Sequence, residues 1–115
     1  MADTLKRAKN TVTDANGLAI LDGASGHTYT IIAITLCNTH ASNDETFSIA
    51  IADHGSSGGS LTNPDYIYDT QSLPAHATFE HTSKIVLEGT DELWVMSPSA
   101  SATIDVVVSY LDQDS

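Results

Sequence analysis

GSSGG, Gly55 to Gly59, satisfies the G-x-S-x-G pattern in which a serine, here Ser57, serves as a nucleophile. That chemistry needs the serine on a tight turn from strand into helix, so that helix-end amides can stabilise the oxyanion. A strand-like segment does precede the motif, but LTNPDYIY follows and cannot be that helix. A chain of 115 residues is also too short for the doubly wound sheet around such an elbow. The stretch reads as a Gly/Ser loop, and an enzyme is the last of the functions to expect.

Five histidines, His27, His40, His54, His76 and His81, invite a metal. None of them forms HxH, HxxxH or HxxEH, and a single cysteine, Cys37, allows no zinc-finger spacing. His76 and His81 are five apart, so on one continuous strand they point to opposite faces. Calcium calls for ordered oxygen ligands of the D-x-D-x-D-G kind. Asn43–Glu45 and Asp112–Asp114 are acidic but lack that order. Phosphate loops and dinucleotide fingerprints are absent, so no cofactor, metal or catalytic residue is expected. Cys37 ends an apolar run, TIIAITLC, where a small buried hydrophobe is the simpler reading. One cysteine also excludes an internal disulfide framework.

Charge is distributed unevenly. Lys6, Arg7 and Lys9 stand together in TLKRAKN, whereas the chain beyond Asn10 holds one cation, Lys84, against fourteen acidic residues. The net charge of −11 leaves little with which to neutralise phosphates, so neither nucleic acid nor an anionic membrane is an expected partner. Ten extended residues reach roughly 33–36 Å. A basic arm of that length can cross onto an acidic neighbour, and copies of this same chain provide one. The competing reading is a polar, mobile terminus with no role.

These residues need elements to hold them. LAIL (Leu18–Leu21) precedes the turn DGASGH, and TYTIIAITLC then places Ile32, Ile34 and Leu36 on one face at strand period. TFSIAIAD alternates Phe47, Ile49 and Ile51 inward with Ser48, Ala50 and Ala52 outward. After the long HGSSGGSLTNPD loop come YIYDTQ, ATFEHT, KIVL, ELWVMS and TIDVVVSYL. The last sets Ile104, Val106, Val108 and Tyr110 on one face. About eight short strands at this spacing, with turn chemistry between them, predict an all-β fold: an antiparallel, jelly-roll-like β-sandwich with an extended N-terminal arm. Helical period is nowhere convincing, and LKRAKN is too short to hold a helix alone. The expected division is a basic arm over 1–10, a sandwich over 11–111 and an acidic tail over 112–115. No run has signal-peptide length and none approaches the 18 apolar residues of a membrane span, so synthesis in a cytoplasm is expected.

Tyr66 and Tyr68 in DYIY share a face under strict alternation, with Ile67 on the other. If Ile67 enters the core, the tyrosines form an exposed aromatic pair suited to a partner; if the tyrosines are core, Ile67 is exposed. Trp94 is expected to pack.

IIAITLCNTHASNDETFSIAIAD resembles a segment of small structural proteins of tailed bacteriophages, the cyanophages especially. There, a strand ending VCN leads through a polar loop to TFRIAV or similar. SLPAHATFEHTSKIVLEGTDELWVMSPSASATIDVVVSYLD resembles the second half of that family, with Gly89-Thr90-Asp91 where Gly-Asp is usual and hence an altered turn. The resemblance spans residues 18–111. It implies a β-sandwich and a non-enzymatic virion component, made in the host cytoplasm and located on the capsid, neck or tail. The expectation that follows is a capsid decoration or cement protein, homo-oligomeric and first of all trimeric, bound to the major capsid protein or other virion proteins. Lys6, Arg7, Lys9, Tyr66 and Tyr68 are its candidate partner-binding residues. The alternatives are a neck or tail adaptor and, in another class, a carbohydrate-binding sandwich relying on Tyr66, Tyr68 and Trp94.

Overall fold

The computed structural model describes residues 2–12, 17–53, 65–97 and 103–114. Among the described residues nine strands form: β1 (Ala2–Val12), β2 (Leu18–Asp22), β3 (His27–Asn38), β4 (Glu45–Ala52), β5 (Asp65–Leu73), β6 (Thr78–His81), β7 (Ile85–Glu88), β8 (Glu92–Met96) and β9 (Ile104–Asp114). No helix occurs among the described residues. The strands form two antiparallel sheets. One runs β1-β9-β3-β6, with β7 also on β3; the other runs β2-β8-β4-β5. The expected β-sandwich is therefore what the chain adopts.

Alternation explains the core. β9 buries Ile104, Val106 and Val108, β4 buries Phe47 and Ile49, and β8 buries Leu93 and Val95 between the sheets. Each such side chain withdrawn from water contributes about 1.5–3 kcal/mol. Asn38 ends β3 and is fully buried. Its amide donates to the carbonyls of Asn43 and Leu73 at 2.9 and 3.0 Å, while its Oδ1 accepts from the His40 amide. One side chain thus ties the 39–44 loop to the sandwich. The β7–β8 turn places Gly89 at φ 57°, in the left-handed region where a Cβ is strained.

Three details of the expected pattern differ. In β3, Ile31 pairs with Tyr110 and Ala33 with Ser109, so Ile32 is the extra residue of a bulge. Ile31, Ile34 and Leu36 fill the core instead, and Ile32 is exposed. In β4, Ser48, Ala50 and Ala52 face outward yet are buried. β4 is an interior strand, and Ala50 lies in register between Trp94 and Tyr66. Cys37 is half-buried rather than in the core; it stands on the outer face between Asp105 and Thr78.

The two charged ends of the chain lie together. Residues 2–12, the basic segment, form β1 and pair with β9 from Ala2↔Asp114 to Val12↔Ile104. Asp112, Gln113 and Asp114 of the acidic end are the last residues of β9. β1 is the ninth strand beyond the eight expected, an edge strand of its own sheet.

Candidate assembly surfaces

The three cations of β1 divide by strand alternation. Lys6 turns to the inner side of its sheet, where Nζ bonds Asp112 Oδ2 at 2.9 Å. The other carboxylate oxygen, Oδ1, lies 2.8 Å from His27 Nδ1. Asp112 is buried and so joins β1, β9 and β3 at one end of the sheet. The hydrogen bond from Lys6 and then that from His27 hold its carboxyl below the usual carboxylate range, and the same bond raises Lys6 above the usual lysine value. Burial, reinforced by the nearby Asp112 charge, pushes the Tyr29 phenol up. The Tyr29 ring packs on Tyr110, 5.0 Å between centroids. Arg7 and Lys9 lie on exposed β1.

Tyr66 and Tyr68 separate. Ile49 pairs with Tyr68 and Ala50 with Tyr66, which makes Ile67 a bulge residue and breaks the alternation expected of DYIY. Tyr68 and Ile67 both pack against the core. Tyr66 stands out at 52% exposure. The Tyr68 ring meets Phe79 edge-on at 4.9 Å, and its hydroxyl lies 2.7 Å from His81 Nδ1. Phe79 in turn packs on Phe47. This aromatic group joins β5 of one sheet to β6 of the other. Trp94 is buried, with its indole N–H donating to Glu92 Oε1 at 3.0 Å, so its face does not offer a stacking platform for a sugar.

The described histidines serve local structure. His40 Nδ1 accepts the amides of Ser42 and Asn43, which fixes the loop after β3. His76 occupies a turn at φ 61°. No group of histidine, cysteine and acidic side chains able to hold a metal occurs among the described residues. His54 and the GSSGG motif with Ser57 lie outside them.

Sequence reading did not find the outer face of the five-stranded sheet. Leu5 is 74% exposed, Val86 50% and Ile32 40%, and all three stand on this face. Register aligns Leu5, Leu111, Thr30 and Val86 in one row across β1, β9, β3 and β7. Leu5, Arg7, Ile32 and Ser109 border an open groove of about 390 Å³. Leu5 and Val86 are 81 residues apart in the sequence, so only the strand pairing brings them into one row.

No protein-family model matches the chain, and no curated protein matches it. Solved structures resemble it in fold. A chain of the T13 viral particle of IBDV superposes at TM-score 0.54 over 96% of this chain, with 7% identity. This chain spans only 30% of that one. A chain of the acidic stable capsid of Helicobacter pylori bacteriophage KHP30 superposes at TM-score 0.52 with 9% identity, covering 97% of this chain and 87% of that one. The CBM22-1–GH10 portion of a Clostridium thermocellum xylanase reaches only 0.44, at 17% identity. At these identities the likeness is one of fold: this β-sandwich has the architecture of chains found in two viral shells.

Proposed function

We propose that this chain is a non-enzymatic structural protein of a virion, a small sandwich that binds the head surface as a decoration or cement protein. The observation that carries the reading is the match in both fold and size to a chain of the KHP30 capsid, 97% of one against 87% of the other. The IBDV likeness adds that the same architecture occurs as a portion of a larger shell chain. The sequence resemblance to tailed-phage structural proteins over residues 18–111 agrees. In this reading Arg7, Lys9 and Tyr66 make the contacts with neighbouring subunits. Lys6 and Tyr68 act indirectly, by holding β1 and β5 in place. The acidic remainder keeps decorated particles from clumping.

The test is imaging of the intact particle. Density for the sandwich on the head, in hundreds of copies, is the expected result. About a dozen copies or fewer on a symmetric ring would move the protein to the neck or tail. Its absence from particles would overturn the reading. With purified chain and shells, Arg7→Glu/Lys9→Glu should weaken co-sedimentation, more so at low salt than at high.

A further inference from the structure

The outer face of the five-stranded sheet is complementary to itself. Across it runs the apolar row Leu5–Leu111–Thr30–Val86, with Ile32 added by the β3 bulge. The row spans three strand spacings, roughly 14 Å. A second row runs Lys9–Val107–Thr35–Glu80 across β1, β9, β3 and β6. Its two ends carry opposite charge and both are exposed. The edges differ in sign as a whole. The β1 edge presents Arg7 and Lys9 against Asp3, while the β6/β7 edge presents Glu80 and Glu88 against Lys84 in the turn between them.

We propose that this face is a two-fold interface with a second copy of the chain. A two-fold axis parallel to the strands, between two faces packed with aligned strands, lays β1 of one copy over β6 and β7 of the other. Because that axis preserves the rows, Leu5 meets Val86 and Lys9 meets Glu80, each twice. Ile32 and Leu111 lie near the axis, and the groove beside Leu5 receives Val86 of the second copy. The operation also sets two like-charged pairs opposite each other, Asp3 to Glu88 at the end of the face and Arg7 to Lys84 of the β6–β7 turn, both at exposed edges where water screens them. Each copy carries −11, so two copies repel unless unlike charges are opposed and apolar surface is covered. This face covers its apolar row and opposes Lys9 to Glu80. Four strands by about nine residues offer roughly 550 Å² per copy, near the lower end for specific interfaces.

The pairing departs from the trimer expected with the resemblance and from an arm that crosses onto a neighbour, since β1 stays in its own sheet and contributes its outer face. It also stands apart from shell binding, because it is measured on the purified chain alone.

Sedimentation equilibrium of the full chain decides it, with circular dichroism confirming the fold of each variant. The wild type is expected to dimerise reversibly. Lys9→Glu and Glu80→Lys should each weaken the dimer about tenfold or more, and the double variant should restore it. The two single changes shift net charge in opposite directions, so weakening by both separates local pairing from general repulsion. Ile32→Asp should leave a folded monomer. A wild type that stays monomeric to hundreds of micromolar overturns the proposal. So does a dimer indifferent to the single changes, or a double variant that fails to recover.

Discussion

The sandwich closes differently at its two flanks. Where β5 meets β6, Phe47, Phe79 and Tyr68 pack ring on ring, and a hydrogen bond between Tyr68 and His81 crosses between the sheets. At the far end of β1, β9 and β3, a single buried carboxylate, Asp112, gathers Lys6 and His27 within one sheet. The first closure is mainly apolar area and dispersion, which salt does not screen. The second is charge on charge with the lysine half in water, so screening and titration both reach it. The aromatic flank therefore carries stability, while the polar one governs how firmly the edge strand is held.

The sharpest way to break that contrast is Phe47→Ala. The side chain is fully buried and touches both Tyr68 and Phe79. A loss of about 3–5 kcal/mol is expected in urea unfolding; a loss below about 1 kcal/mol would show that the flank does not anchor the core. Tyr68→Phe keeps the ring and removes only the hydroxyl. About 1 kcal/mol is expected, with little change in its salt dependence.

The smallest effect at neutral pH, and the most informative in its shape, belongs to Asp112→Asn. The carboxyl is held low in the folded chain, so its contribution is present above the ordinary value near 3.9 and disappears as pH falls through the folded value. The lysine is held high, so its share is present below about 10.4 and disappears as pH rises through the folded value. The difference in unfolding midpoint between wild type and variant should be level across the neutral range and shrink at both extremes. Hydrogen exchange should quicken in β1 before it does in β4. Equal protection of both strands in the variant would remove the clasp from the account.

Much of this was legible in the residues. Period-two runs in TFSIAIAD and TIDVVVSYL named Phe47, Ile49, Ile104, Val106 and Val108 as core, and all five are buried. The bulges were not legible. Ile67 sits in a run that alternates on paper, and the apolar stretch Ile31–Ile34 around Ile32 fits either phase, so nothing local marks which residue is the extra one. Only the pairing across the ladder shifts the phase. TLKRAKN misled for a related reason. Its polar, cationic composition suits an arm or a surface, and an edge strand with one side in water tolerates the same composition.

The strands from β2 to β9, the two-layer class and most of the core therefore belong to the sequence by itself, because alternation is a local property and burial follows from it. Which strands became neighbours was decided only in three dimensions. β1 found β9 across more than ninety residues, which brought Lys6 to Asp112 and set Leu5 in line with Val86. Those pairings rest on backbone hydrogen bonds that any residue except proline can donate, so composition carries almost no record of them.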